Sequence, residues 1–471
     1  MRYIPILASA ALVAGCTTVG PDYKSPAMET SGRWIEATSQ GTVDPSWWNG
    51  FGDPLLVKLV RMAIRNSPTL RESSARLREA RAARDEAFGR RRPEGGLSAS
   101  ATRNRLSENG QLPVGEIPGF EPGFSLFDVG FDAQWEVDLW GRQTRERESA
   151  EARVGAADAA RDSVVVQITG ELARAYFELR GAQAEIAAVG TRQAAEAKLA
   201  ELSNLRVRHG EANRIESSNS IARARSTDAL LAALRARAAG LAYSVALLAG
   251  AKPSEIVAEL RVPAPIPEVP QSIATGLQSE FLRRRPDIRR AEREFAAATA
   301  DIGVATADLF PRLSLLGGLQ QQSRSVGGLF ESGSTAFRLG PSLSWPVFSM
   351  GRVRARVRGA QARADSALAR YEQAVVAALN DTERAANAVV EARLNIQSVE
   401  QSLEAQRESF RLAERRFTAG EDDRLAVEQA RIALAEAERQ LSQARAAAGR
   451  EAASLYKEIG GAWQSVEARG E

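Results

Sequence analysis

The 471 residues hold one cysteine and one histidine, Cys16 and His209. A Cys/His metal site needs several such groups converging, and a disulfide needs a second cysteine, so neither is expected. The chain holds no Gly-x-x-x-x-Gly-Lys phosphate loop, no Gly-x-Ser-x-Gly elbow and no His-Glu-x-x-His helix. His209 stands at a turn, where exposure is expected. Without those constellations the sequence reads as a non-enzyme that binds neither metal nor dissociable cofactor.

The chemistry that remains is acylation of the lone thiol. Residues 1–15 read as a short signal peptide, with Arg2 as the positive start, Ile4 to Val13 as the apolar stretch, and small residues Ala14 and Gly15 at the processing site. The run Val13-Ala14-Gly15-Cys16 resembles a bacterial lipobox, in which cysteine receives diacylglycerol and an N-linked acyl chain such as palmitate. Thr17 stands where Asp would imply retention in the inner membrane, so the expected destination is the outer membrane.

The elements that follow have the composition of long packed helices: tracts of Ala, Arg, Glu and Leu, with only 6% aromatic residues. The net charge of +3 is small against 62 basic and 59 acidic residues and is spread along the chain, which gives no support to nucleic-acid binding. No run of about 18 apolar residues follows residue 16, so a transmembrane helix is not expected and any membrane crossing must use strands.

Sliding the sequence on itself reveals a duplication. Trp135 to Arg142 aligns with Trp345 to Arg352 at an offset of 210, which also pairs Gly210 with Gly420 and Gly250 with Gly460. Ser67-Pro68 matches Arg285-Pro286, and Pro93 matches Pro311, at an offset of 218; the eight-residue difference places a longer loop in the first half. Each half therefore reads helix, strand, strand, then two long helices joined by a glycine turn.

The helices carry seams spaced alternately by three and four residues, as in coiled coils. Val165, Ile168, Leu172, Ala175, Leu179 and Ala182 form one; Ile396, Val399, Leu403, Gln406, Phe410 and Ala413 repeat it. From Gly141 to Arg208 there is no proline, enough for a rod on the order of 100 Å. Gly210 and Gly420 end these helices, and return helices follow. In the strands, Phe127, Val129, Phe131, Ala133, Trp135, Val137 and Leu139 share a face opposite Asp128, Asp132, Glu136 and Asp138. Phe337, Leu339, Pro341, Leu343, Trp345 and Val347 do the same in the second half. A soluble half-buried sheet alternates likewise, but a coiled-coil rod offers these strands no core. Lipid requires a closed barrel, four strands cannot close one, and three copies would give twelve strands. Pro253, Pro263, Pro265, Pro267 and Pro270 mark an irregular linker between the halves.

The expected organisation is a signal peptide (1–15), a lipid-anchored segment and belt (16–66), a first repeat (67–250), a Pro-rich linker (251–280), a second repeat (281–460) and a tail (461–471). Strands are expected at about 95–105, 124–139, 312–321 and 336–348, and helical hairpins over 141–250 and 351–460. The fold class is mainly α with a small β part.

The chain resembles the outer membrane factor family of TolC-like channels, in particular its lipoprotein branch serving efflux pumps. The resemblance rests on Val19-Gly20-Pro21-Asp22-Tyr23, on Trp47 to Leu55, and above all on Leu282 to Glu292, which contains Arg284, Arg285, Pro286 and Asp287. It implies a homotrimer with a twelve-stranded barrel in outer-membrane lipid and an α-helical barrel in the periplasm. It also implies a periplasmic adaptor protein and a proton-driven inner-membrane pump of the resistance-nodulation-division class as partners. Arg206, Val207, Gly210, Arg416, Phe417 and Gly420 resemble the hairpin tips that meet the adaptor. Leu425 matches a leucine that narrows the closed aperture, Gln429 a position where relatives often carry Asp, and Glu421, Asp422 and Asp423 could supply a negative mouth. Alternatives are an exit duct for type I protein secretion and a structural coiled-coil lipoprotein; the latter leaves the duplicated strand pairs unexplained.

Overall fold

The computed structural model describes residues 18–26, 34–36, 41, 44–107, 121–461 and 463. Cys16 with its signal segment, and most of the longer loop expected in the first half, lie outside the described residues.

The two repeats match element by element. In the first, α1 (Pro54–Asn66) and α2 (Pro68–Gly89) lead into β1 (Glu94–Arg105) and β2 (Gly123–Val137), then α3 (Arg142–Arg208) and α4 (Arg214–Leu248). A short helix, α5 (Pro253–Leu260), follows. In the second, α6 (Gln278–Arg284) and α7 (Pro286–Ala307) lead into β3 (Arg312–Ser323) and β4 (Thr335–Ser344), then α8 (Met350–Thr418) and α9 (Arg424–Glu458). Helices α2 and α7 have 22 residues each, β1 and β3 have 12, and α4 and α9 have 35. The duplication thus extends to element length.

The contacts divide the chain into two units, each drawn from both repeats. One contains Leu77–Ala156 and Ala291–Tyr371, and with them the whole sheet. Its strands are antiparallel in the order β1-β2-β3-β4, leaving one side of β1 and one side of β4 unpaired among the described residues. The register aligns Leu97, Phe131, Leu319 and Phe337 in one row and Gly96, Asp132, Gly318 and Arg338 in the next. Successive side chains leave opposite faces of a strand, so from Leu97 and Phe337 down to Trp135 and Leu343 one face is mainly apolar and the other mainly polar, while Arg103, Arg105 and Gln321 stand at the far end of the apolar face. That apolar face is open: Leu97 and Phe337 are each 81% exposed and Leu339 83%.

The other unit holds Ala157–Arg290 and the chain from Glu372 onward. Its core joins Trp47, stacked on Tyr456 at 4.8 Å, with Phe51 edge-on to Phe177 at 5.0 Å and with fully buried Leu56, Leu59, Leu172 and Leu179. Ile256 and Leu260 of α5 complete it.

Three expectations need correction. The Pro-rich linker is not wholly irregular, because Pro253 opens α5, where a missing N–H costs nothing, and its apolar face buries Ile256, Val257 and Leu260. The second strand of each pair ends early. Asp138 leaves β2 to accept hydrogen bonds from the backbone N–H of Gln143 (3.1 Å) and Thr144 (2.9 Å), holding the start of α3, and Pro346 has no N–H to extend β4. Finally, α4 is long and apolar enough to cross a bilayer by length and composition alone, which the expectation of no such segment overlooked. Arg235 and Arg237 interrupt its Ala- and Leu-rich half, and a charge at a bilayer centre is costly. Its Leu231 and Leu234 pack instead with Val189 of α3.

Candidate functional site

Both hairpin tips are built the same way. At the first, Gly210 adopts φ 76°, which only glycine enters without strain, and its N–H donates to the Val207 carbonyl at 3.1 Å while Glu211 N–H reaches Arg206 at 2.9 Å. Asn213 then caps α4 by accepting from Glu216 N–H at 2.9 Å. At the second, Gly420 has φ 74°, its N–H donates to Phe417 at 3.0 Å, and Glu421 N–H donates to Arg416 at 2.9 Å. Asp423 caps α9 through Ala426 N–H at 3.0 Å.

Their side chains differ. Among the described residues the first tip has one ion pair, Arg206 to Glu216 at 3.3 Å. The second gathers two of the expected acidic residues around one cation: Arg416 approaches Asp422 at 3.1 Å and Glu421 at 3.7 Å. Asp423 is held by its own helix. Arg416 thus pairs with two of the three carboxylates expected at a negative mouth, Glu421 and Asp422. Leu425 is half-buried and Gln429 exposed.

The sequence reading missed Glu428. Its carboxylate is 1% exposed, paired with Arg424 at 2.8 Å and Arg431 at 3.6 Å, and one of its oxygens accepts no hydrogen bond among the described residues. Arg424 lies over the Phe417 ring at 5.5 Å, and Arg431 over Phe410 at 5.3 Å. The spacing of four and three residues around Glu428 carries that signal, since such neighbours share a helix face.

The Arg284-Arg285-Pro286-Asp287 run is a clamp. Arg285 is buried, holds Asp287 through two bonds of 2.9 and 2.6 Å, and donates to the Glu458 carbonyl at 2.6 Å. Its guanidinium lies over Phe281 at 5.6 Å. The Trp463 indole donates to the Arg284 carbonyl at 3.1 Å, and Pro286 begins α7. The start of the second repeat is thereby fastened to the end of α9. One turn further on, Arg289 meets Asp162 at 3.4 Å. Burial, helped by neighbouring Asp158, raises the Asp162 pKa to about 6 against the pull of Arg161 and Arg289.

In the unit that holds the sheet, the Val19 to Tyr23 segment docks beside the strand ends. Val19 N–H donates to the Trp140 carbonyl at 3.1 Å, Arg145 binds Asp22 at 2.7 Å, and the Tyr23 hydroxyl donates to Glu292 at 2.6 Å. Thr18 lies against Gly141, where a Cβ would sit 2.7 Å from it.

The model of the outer membrane efflux protein family matches residues 59–250 and 277–461. Over 377 residues the chain is 31% identical to outer membrane protein OprJ of Pseudomonas aeruginosa, covering 79% of this chain and 77% of that one. It is 27% identical over 380 residues to the probable outer membrane lipoprotein SilC of Salmonella typhimurium, covering 79% of each. Among solved structures, the outer-membrane channel OprN superposes with a TM-score of 0.85 at 35% identity, over 95% of this chain and all of that one.

Proposed function

The chain belongs to the outer membrane efflux protein family, and from that premise we propose that three copies form one passive tunnel, each lending four strands to a twelve-stranded barrel. It is an outer-membrane channel component of an efflux system. The observation that carries the proposal is the sheet itself, mainly apolar and open on one face, mainly polar on the other, with both edges unpaired among the described residues. In lipid an unpaired edge is costly, so the edges must pair with other copies. The polar face, with Asp128, Asp132, Glu136 and Arg338, then lines a wet lumen.

The tunnel contains no energy source. A periplasmic adaptor meets the tips around Arg206, Val207 and Gly210 and around Arg416, Phe417 and Gly420, and an inner-membrane pump drives export of small molecules. Cys16, two residues before Thr18 in the sequence, carries the diacylglycerol and acyl chains. At the second tip, the Arg416 pairs and the Arg424–Glu428–Arg431 cluster stiffen the hairpin that presents Leu425, and opening untwists that hairpin without breaking any covalent or metal link.

The mass of the detergent-extracted protein and its conductance in planar bilayers test this together. A trimer that opens discrete pores is expected. A stable monomer with no pore activity would overturn it.

A further inference from the structure

The sheet has a marked foot. Trp135 on its apolar face donates its indole N–H to the Arg91 carbonyl at 2.9 Å, and Trp345 donates to Leu309 at 3.1 Å. These pairs are equivalent across the repeat. Indoles at the rim of an apolar band mark a lipid–water boundary, where the ring is greasy and its N–H needs a partner.

At that level the halves differ. The first places Arg90, Arg91 and Arg92 between α2 and β1; the second has Asp308, Leu309 and Phe310 there. The shared fold therefore does not require the arginines. Arg90 is occupied by Glu86 at 2.7 Å, whereas Arg91 and Arg92 are exposed and carry no ion pair among the described residues. With Phe88 and the Arg84–Asp85 pair they line an open groove of about 680 Å³. Phe88 forms its greasy wall, 38% exposed, with Arg147 5.5 Å from its ring centroid.

We infer that Arg91 and Arg92, at the foot of the lipid-facing sheet, bind the phosphate of an anionic phospholipid. This rests on the barrel reading above. The groove is continuous with the lipid-facing surface through Trp135, its free charge is positive, and Phe88 offers a surface for the glycerol and first methylenes. The N-terminal segment that leads to Cys16 docks at Gly141, just beyond the end of β2, so this foot faces the leaflet that holds the Cys16 lipid. That is the periplasmic, phospholipid leaflet.

The test is native mass spectrometry of the full chain in detergent, titrated separately with phosphatidylglycerol and phosphatidylcholine, for wild type, R91Q/R92Q and R91K/R92K. Wild type should prefer phosphatidylglycerol. Each basic residue at an anionic surface contributes about fivefold, so the glutamine pair should lose roughly twenty-five-fold in phosphatidylglycerol affinity while phosphatidylcholine binding is unchanged. The lysine pair should keep most of it. Equal affinity of wild type for the two lipids, or a glutamine pair that binds like wild type, overturns the inference. So does dissociation of the glutamine pair into monomers, which would place these arginines at a subunit seam. Planar-bilayer conductance of the same preparations separates the two readings. A wild type that forms no pores sinks the barrel reading itself, whereas normal pores with no lipid preference sink only this inference.

Discussion

Replacing Arg285 with alanine isolates the clamp from everything else at the tips and in the sheet. The buried guanidinium serves three partners: Asp287 by two bonds, the carbonyl and carboxylate of Glu458, and the face of Phe281. These losses are unequal. The Asp287 side chain is 45% exposed and returns to water, so its share is small. The Glu458 side chain is 16% exposed and keeps the Lys457 ammonium at 3.2 Å, whereas its carbonyl keeps a 3.4 Å contact from the Thr382 hydroxyl, so the carbonyl bears most of the loss. Leaving those acceptors underserved costs about 1–3 kcal/mol, and the lost ring contact and packing add about 1 kcal/mol. The expected total is about 3 kcal/mol, near the lower end for breaking a buried charge pair. Lysine keeps the charge but not the two-pronged geometry and should recover roughly half of that. Arg76, whose pair with Glu72 is exposed on both sides, is the control, and its alanine variant should cost less than about 0.5 kcal/mol. Denaturant unfolding of the detergent-solubilised protein reads all three. If Arg285→Ala unfolds within about 0.5 kcal/mol of Arg76→Ala, the clamp assignment is wrong.

Leu425→Ala should raise single-channel conductance in planar bilayers; unchanged conductance would remove Leu425 as the constriction. Phe337→Arg places a charge on the proposed lipid face and should cost about 2–4 kcal/mol of assembly stability, whereas Ser342→Arg on the opposite face should be tolerated. Equal yields of assembled protein from the two variants would reverse the assignment of the faces. Asp162 has its pKa raised by burial to about 6, above its unfolded value, so the folded chain binds this proton more tightly than the unfolded one. Its protonated form stabilises the fold below about pH 4, and that contribution is lost as pH rises to about 6. The stability of Asp162→Asn relative to wild type should therefore improve over this range, and a difference independent of pH would refute the linkage.

What could be read in advance follows from how local each signal is. The 210-residue offset fixes both glycine turns because positive φ at Gly210 and Gly420 is a property of the turn alone. Alternation from Phe127 to Val137 gives the two faces of the sheet for the same reason. The ends of the strands were not legible, since Asp138 abandons β2 only because α3 offers it two unpaired N–H groups. Nor was α5, whose helical state depends on burying Ile256 and Leu260 against the distant core. The acidic run after Gly420 read as a mouth because a sequence shows charges without their partners. The structure adds those partners: Arg416 for Glu421 and Asp422, and the start of α9 for Asp423.

The duplication itself allows function to be separated from scaffold. Wherever both halves keep a residue, as at Gly210 and Gly420 or Trp135 and Trp345, the shared geometry is enough to explain it. Wherever they diverge at one structural position, the fold has already been satisfied by another residue, and the difference needs its own cause. Glu428 and Arg431 correspond to Ser218 and Ile221, so the buried acid between two arginines belongs to the second hairpin only. The first tip is held by one half-exposed pair, the second by a connected set that includes a nearly inaccessible carboxylate. Two hairpins with the same turns but unequal electrostatic bracing cannot loosen with equal ease.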